Sequence, residues 1–406
     1  METSVRTIAD TEVARFVHAA GYGFGDRWEP PAPGAWVDAE VDRAVVAVDG
    51  DDFVATGRNY TMELTVPGGA TVTAGAVSAI TTRPTHRRRG LLRQIMRWLL
   101  LDSCDRGDVV SILTASEGGI YSRFGYGIAT RIASVAIQRH LTELVRPQTR
   151  GAVRMVEPEV GIELARPLFD RVRRDRVGAV SRPEAWWPVE WAPPEWIAPR
   201  RRFDVVYEVD GQPEGYALYA LTGEWTAGHT EKVVEVRDFV AASPEAEHAL
   251  WNYLLHIDQT VAIRAWNTPL DTSLPWLLSD PRQCRTEGVR DFLWLRPVDT
   301  ERFLAARTYA QAGDIVIEVT DPFIELEATA GRFRITSRPG TTTCVRTDRD
   351  PDLVMSAGAL GAISLGGVPP SVLIRAQQMA ASNAAAIETA DALFRAEREP
   401  FAFTWF

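Results

Sequence analysis

The sequence contains few lysines, cysteines and histidines, and each scarcity narrows the kind of protein it encodes. Lys232 is the only lysine among 406 residues, so arginine carries nearly all of the positive charge, which we interpret as a compositional bias. The three cysteines are odd in number and lack metal-ligand spacing, which predicts a reduced, cytoplasmic protein. The six histidines are scattered and form no cluster with cysteine or aspartate, which argues against a metal enzyme.

Long apolar runs and an excess of positive charge are also missing. No apolar run reaches about 18 residues and the N-terminus has no signal-peptide core, so no membrane partner is expected. The net charge of −10 argues against nucleic acid as a partner and favours attraction of cations such as polyamines. At 406 residues the chain is too long for one ordinary core, so we expect two or three domains.

The most informative stretch of the chain reads as strand, basic turn and helix. Small and β-branched residues predict a strand over 71–82, which Pro84 ends. Apolar residues at helical spacing, starting with Leu91 and Leu92, predict the helix that follows. Between the two lies Arg87-Arg88-Arg89-Gly90. A helix N-terminus offers unpaired N–H groups and positive dipole charge, so this turn suits a phosphate, although a solvated basic helix start remains the alternative.

Two further motifs combine glycine with aromatic residues. SEGGIYSRFGYG, residues 116–127, follows a near-continuous apolar strand and carries Tyr121 on a predicted short helix. Nearer the N-terminus, GYGFGDRWE, residues 21–29, spaces aromatic side chains with glycine beside carboxylates. Such a pattern can wall a pocket for a cationic amine, or it can be an ordinary turn packed on the core.

The second half of the chain repeats part of this pattern and then departs from it. Residues 203–257 again predict strands, a loop and a helix, but Ser243-Pro244-Glu245-Ala246-Glu247 stands where the first copy has its basic turn. Carboxylates at a helix N-terminus suit the dipole but repel a pyrophosphate, so this copy is predicted to be degenerate. The chain ends in FAFTWF, which predicts a docked terminus rather than the frayed end that is usual.

The basic turn carries a family resemblance. Arg87 to Leu92, following a strand, resembles the Arg/Gln-x-x-Gly-x-Gly/Ala pyrophosphate loop of GCN5-related N-acetyltransferases (GNAT), although Leu92 stands where a small residue is preferred. The longer string PTHRRRGLL, together with SEGGIYSRFGYG, is similar to the enhanced intracellular survival (Eis) group. The resemblance covers the whole chain. It implies an α+β fold with an acetyl-CoA-binding GNAT domain over 1–150, a degenerate GNAT-like domain over 151–297 and a sterol-carrier-protein-like domain over 298–406.

The resemblance also implies a reaction and the residues that perform it. An enzyme of this kind transfers acetyl groups from acetyl-CoA, without a metal, to small-molecule amines of polycationic substrates, which are aminoglycosides, other polyamines or lysine side chains. Tyr121 is implied as the general acid, and the terminal carboxylate of Phe406 is implied as the base that enters the active site. The implied acetyl-CoA-binding residues are Ile80, Thr81, Thr82, Arg88, Arg89, Gly90, Leu91, Leu92, Arg93, Ser116 and Glu117. The implied amine-pocket residues are Phe24, Asp26 and Trp36.

Two departures from the family affect the expected range of amines. Trp405 stands where some members carry an acidic residue, and Ala79 stands where a bulkier cleft residue occurs. An acyltransferase for protein or peptide amines and a non-catalytic acyl-CoA or lipid carrier are the alternative functions. For the third domain we favour a scaffolding role over lipid binding. The resemblance further implies a homo-oligomer, a hexamer.

Overall fold

The computed structural model describes residues 3–28, 40–146, 150–187, 202–226, 229–324 and 326–406. Contacts divide the chain into two compact units. One unit contains residues 1–130 together with 291–406, and the other contains residues 131–290.

The N-terminal part of the first unit is a sheet with helices whose apolar faces are buried. Its elements are β1 (Ser4–Thr7), α1 (Val13–Phe24), β2 (Ala44–Asp49), β3 (Asp52–Thr65), β4 (Thr71–Thr82), α2 (Leu91–Asp105), β5 (Val110–Thr114) and β6 (Gly127–Ile128). In α2, Leu91, Ile95 and Leu99 recur on one face and are buried, which is the spacing that predicted this helix.

The second unit repeats this alternation of strands and helices. Its elements are β7 (Arg131–Gln138), β8 (Ala152–Val156), α3 (Pro158–Arg174), β9 (Arg202–Val209), β10 (Gln212–Thr222), β11 (Trp225–Thr226), β12 (His229–Thr230), β13 (Val233–Ala241), α4 (Pro244–Leu255), β14 (Ala262–Thr268), α5 (Leu274–Leu277) and β15 (Cys284–Asp291). Leu250 and Leu254 of α4 pack with Val234 and Ile263 in its core.

The C-terminal part of the first unit adds another sheet, in the order β19-β18-β17-β20-β21. The elements of this part are β16 (Leu293–Pro297), α6 (Thr300–Ala306), β17 (Gly313–Thr320), β18 (Gly331–Arg338), β19 (Thr341–Arg346), β20 (Leu353–Ser356), α7 (Ala357–Ser364), α8 (Pro370–Arg375), β21 (Met379–Ala381) and α9 (Ala384–Phe394). Apolar residues of β17 and β18, including Ile317 and Phe333, pack against Leu360 of α7 and Leu393 of α9.

The two larger sheets share one topology. The first has the order β1-β2-β3-β4-β5-β16-β6 and the second, read from its other edge, has the order β8-β9-β10-β13-β14-β7-β15. Each contains a parallel pair joined by a helix, β4–α2–β5 in the first and β13–α4–β14 in the second. The α+β fold with a tandem repeat and a further C-terminal domain is the fold that the family resemblance implied.

The strand beside the parallel pair enters each sheet from a distant part of the chain. In the first sheet it is β16, whose Leu293 lies opposite Thr114 of β5. In the second it is β7, whose Ile137 lies opposite Ile263 of β14. The expected domain boundaries, 1–150 and 151–297, assign β7 to the first domain and β16 to the second, whereas the structure places β7 in the second sheet and β16 in the first. An alternating or apolar strand pattern predicts burial in a sheet, but it carries no information on which of two similar sheets the strand joins.

Candidate active site

The parallel strands β4 and β5 separate at the end of their pairing, and we call this place the β4–β5 fork. Val77 and Leu113 form the last pair. Beyond it, β4 carries one more residue than β3 and Ala79 has a φ of 53°, the geometry of a β-bulge, which bends a strand. In the described part of the chain, the backbone groups of Ile80–Thr82 that face the β5 side have no strand partner. They can therefore hydrogen-bond to a ligand.

The basic turn before α2 has a backbone shaped for an anion. Arg88 has a φ of 64°, and Gly90, the N-cap of α2, has a φ of 80°. Left-handed residues at such positions turn successive N–H groups towards one concave surface, and the helix dipole adds positive potential there. Glycine adopts this φ without strain, which explains its place in the turn.

The side chains of the predicted pyrophosphate residues divide into two groups. Those of Arg88, Arg89 and Arg93 are exposed, so their guanidinium groups can reach a ligand. Leu91 is buried and Leu92 packs against the same core, so these two can contribute only backbone N–H groups. The residues present therefore fit a pyrophosphate.

A histidine in the basic turn ties it to the β2–β3 hairpin. His86 Nε2 lies 3.1 Å from Asp49 Oδ2, and His86 Nδ1 lies 2.8 Å from the Thr85 hydroxyl. Arg89 Nη1 lies 3.9 Å from the same carboxylate oxygen of Asp49. These contacts hold the turn in place, although Asp49 was not among the residues predicted from the sequence.

Tyr121 begins a short 3-10 helix, Tyr121–Phe124, and its side chain is only 6% exposed. Burial and, second, the nearby Glu117 carboxylate raise the pKa of Tyr121 to about 12. The phenol therefore keeps its proton at neutral pH, as a proton donor must. Ser116 and Glu117 are exposed in the loop between β5 and this helix.

Tyr126 has a different environment from Tyr121, although the two rings make an edge contact at 6.2 Å between centroids. The Tyr126 hydroxyl lies 2.6 Å from the Ser111 hydroxyl of β5. Burial raises the pKa of Tyr126 as well. The hydroxyl group of Tyr126 is therefore hydrogen-bonded within the core.

The C-terminal segment reaches the β4–β5 fork. Phe401, Ala402 and Thr404 are buried, and Phe406 is 6% exposed. The Thr114 hydroxyl donates a hydrogen bond of 3.1 Å to the terminal oxygen of Phe406. Because Thr114 follows Leu113, the last residue of β5 that pairs with β4, this contact puts the chain end at the fork. Thr114 was not predicted from the sequence, because no local signal marks it.

A buried ion pair supports the helix that carries Tyr121. The side chains of Arg296 in β16 and Asp321, directly after β17, form a salt bridge with both side chains fully buried. Arg296 Nη1 also donates a hydrogen bond of 2.7 Å to the carbonyl oxygen of Phe124. This hydrogen bond ties the end of the 3-10 helix to β16. Neither charged residue stood out in the sequence.

Two of the predicted amine-pocket residues lie at the end of α1. Phe24 is 47% exposed and stacks on Trp28 with 5.1 Å between ring centroids, and Asp26 is exposed just beyond. A Cβ on Gly23 would lie 2.2 Å from Thr81 Cβ, so only glycine permits this approach of α1 to β4. Trp36 lies outside the described residues.

In the second sheet, hydrogen bonds within the protein occupy the place that corresponds to the β4–β5 fork and the basic turn. Pairing of β13 with β14 ends at Val236 and Ala265, and the indole of Trp266 then donates a hydrogen bond of 3.3 Å to the carbonyl of Arg237. The Ser243 side chain caps α4 by accepting from the N–H of Ala246. These contacts occupy polar groups at the end of the β13–β14 pairing and at the N-terminus of α4.

Two absences concern only the described part of the chain. No group of three or more histidine, cysteine, aspartate or glutamate residues there could hold a metal ion. Within the same ranges, every helix is too short or too polar to cross a membrane.

Comparison with protein families identifies three domains in this chain. The model of an acetyltransferase (GNAT) domain matches residues 4–129, and another model of such a domain matches residues 178–297. A sterol carrier protein domain matches residues 300–402.

Relatives resemble the chain over nearly its whole length. An "uncharacterized N-acetyltransferase" of Streptomyces griseus is 36% identical over 99% of both chains, and N-acetyltransferase Eis of Mycobacterium tuberculosis is 32% identical over 93% of both. The crystal structure of Eis1 from Mycobacterium abscessus superposes with a TM-score of 0.87 at 35% identity over all of both chains. A GCN5-related N-acetyltransferase from Anabaena variabilis, with a TM-score of 0.84 and 16% identity, shares the fold. The chain therefore belongs to the Eis family of N-acetyltransferases, whose GNAT domains use acetyl-CoA.

Proposed function

We propose that this N-acetyltransferase acts on the amines of polycationic small molecules, aminoglycoside-like compounds or other polyamines, and also accepts lysine side chains. The observation that carries the proposal is the exposed stack of Phe24 on Trp28 with Asp26 beside it. Aromatic faces and carboxylates both attract ammonium groups. The net charge of −10 adds a long-range attraction for polycations.

We propose that acetyl-CoA binds along the β4–β5 fork and the basic turn. The N–H groups of residues 88–93, with the guanidinium groups of Arg88 and Arg89, would hold the pyrophosphate. Backbone groups of Ile80–Thr82 would hold the pantetheine arm and polarise the acetyl carbonyl, with Ser116 and Glu117 bordering the same site. The positive φ of Arg88 and Gly90 and the bulge at Ala79 support this arrangement.

The proposed reaction is direct attack of the amine on the thioester. The terminal carboxylate of Phe406 accepts a proton from the ammonium group, the new C–N bond forms and the C–S bond breaks. Tyr121 donates its phenolic proton to the departing sulfur, and the second proton that leaves the amine nitrogen returns to the Tyr121 phenolate. The contact of Phe406 with Thr114 and the raised pKa of Tyr121 support these roles.

We also propose that the protein is cytoplasmic and that it assembles as a homo-oligomer. The family resemblance implies a hexamer. Apolar side chains exposed on the unit of residues 131–290 support an assembly, since such surface favours burial. Trp276 is 83% exposed, and the neighbouring Leu277 accepts a hydrogen bond from the backbone of Val145, whose side chain is also exposed. Light scattering of the purified protein measures the assembly directly.

An amine panel with a mass readout tests the substrate class. The enzyme is incubated with acetyl-CoA and one amine at a time, each at the same amine concentration. The amines are an aminoglycoside, a linear polyamine, a lysine-containing peptide and a monoamine that carries no other charged group. The polycations should react at least about tenfold faster than the monoamine, and Asp26→Asn should narrow that difference. Equal rates across the panel would remove the polycation assignment while leaving the acetyltransferase activity in place.

A further inference from the structure

We propose that Thr114 is a positioning residue whose hydroxyl orients the terminal carboxylate of Phe406 for proton abstraction. The proposal rests on the role proposed above for Phe406 as the base. It assigns a function to a side chain that contacts the proposed base.

The position of Thr114 in the sheet makes it a fixed donor. Its backbone lies opposite Leu293 of β16, so the strand is held on that side. On the other side, pairing of β5 with β4 has already ended at Leu113, so Thr114 is the first residue of β5 inside the fork. Its hydroxyl then lies 3.1 Å from the oxygen of Phe406.

Burial of the chain end fixes the position of the terminal carboxylate, but its orientation depends on a polar contact. Burial of Phe401, Ala402 and Phe406 anchors the final residues, but packing of apolar side chains does not set the rotation of the terminal carboxylate about its Cα–C bond. A hydrogen bond to one carboxylate oxygen sets that rotation and leaves the second oxygen to accept the proton of the ammonium group. Hydrogen bonds to an ionised acceptor are about twice as strong as neutral ones, so one hydroxyl suffices. Thr114 keeps its own proton throughout.

The hydroxyl can be removed without changing the shape of the side chain. Thr114→Val should lower kcat by roughly 10- to 100-fold, the range expected for a hydrogen bond to a charged group, with the KM for acetyl-CoA unchanged. Thr114→Ser keeps the donor and should restore most of kcat, which a loss of packing would not allow. Thr73→Val is the matched control, because the Thr73 hydroxyl donates to the carbonyl of Gly107, before the start of β5. It should leave kcat unchanged.

A double-mutant cycle with deletion of Phe406 decides whether Thr114 acts through the carboxylate. Each protein is first shown to bind acetyl-CoA and to keep the thermal transition of the parent. In the variant that lacks Phe406, the residual kcat, measured at high enzyme concentration, should be the same whether residue 114 is threonine or valine. A further loss there, or wild-type kcat for Thr114→Val in the full chain, would overturn the proposal. Wild-type kcat for the deletion alone would instead remove Phe406 as the base, and this inference with it.

Discussion

Tyr121 and Tyr126 lie five residues apart and are both buried, yet their hydroxyl groups have different surroundings. The hydroxyl of Tyr126 is hydrogen-bonded to that of Ser111 within the first sheet, where it serves the core. Tyr121 begins its 3-10 helix in the segment that follows β5, and burial raises its pKa to about 12. At the scale of single residues, this difference separates the proposed proton donor from a tyrosine that serves the core.

Replacing Tyr121 with phenylalanine removes the proposed acid and little else. Tyr121→Phe should lower kcat on the order of 100-fold, because the departing thiolate loses its proton donor. Calorimetric titration should show nearly unchanged affinity for acetyl-CoA. Tyr126→Phe is the control and should have a much milder effect on kcat, whereas equal losses at both positions would mean that Tyr121 is not the acid.

The raised pKa of Tyr121 also predicts the alkaline side of the pH profile. A phenol is protonated below its pKa, and burial raises that of Tyr121 to about 12. The acid is therefore in its active form throughout the neutral and mildly alkaline range. The kcat of the wild-type enzyme, measured up to about pH 10, should show no fall caused by this group. A descending limb that disappears in Tyr121→Phe would contradict the prediction.

At the scale of elements, the N-termini of α2 and α4 occupy equivalent places in the two sheets but differ in how they are capped. Gly90 precedes α2 with a left-handed φ and no side-chain cap, so the first N–H groups of α2 remain for a ligand. Ser243 precedes α4 in an extended conformation and its side chain accepts from the helix. The anion-binding capacity of a helix N-terminus depends on this first residue.

Reversing the charge of the turn before α2 should abolish acetyl-CoA binding. Arg88→Glu with Arg89→Glu replaces two charge-assisted contacts by repulsion, so the Kd should rise at least ~100-fold while the fold is retained. Arg171→Glu with Arg174→Glu is a control of equal charge on exposed residues of α3. Unchanged calorimetric affinity in the first variant would rule out this turn as the pyrophosphate site.

The ion pair of Arg296 and Asp321 joins β16 to the segment after β17, and its loss should destabilise the first unit. Arg296→Met leaves a buried carboxylate without its partner, which should lower the free energy of unfolding by about 3–5 kcal/mol in denaturant titrations. Arg296→Met with Asp321→Asn removes the stranded charge and should recover part of that loss. A double variant less stable than Arg296→Met would show that the charge itself is not what destabilises the protein.

At the scale of the whole molecule, the chain end completes a site that begins far away in sequence. Phe406 and Thr114 are 292 residues apart, and their contact requires the C-terminal part of the first unit to be folded. A domain expected to be a scaffold therefore supplies a group to the fork between β4 and β5.

A tag at the C-terminus tests this dependence. A short Gly-Ser extension after Phe406 keeps every side chain but converts the carboxylate to an amide and adds bulk at the fork. Acetylation of amines should fall severely, while thermal unfolding and acetyl-CoA binding stay unchanged. The same extension at the N-terminus serves as the control. Wild-type turnover of the C-terminally extended enzyme would show that a group other than the Phe406 carboxylate is the base.

Features with local causes could be predicted from the amino-acid sequence. The strand, the basic turn and α2 follow from residue spacing, proline and Gly90, and the tandem architecture follows from repeated patterns and the family resemblance. The exchange of β7 and β16, the pairing of Arg296 with Asp321 and the contact of Thr114 with Phe406 could be seen only in the folded protein. Each of these joins residues far apart in the chain. Local patterns predict that a strand is buried or a charge is paired, but the choice of partner depends on how the whole chain packs.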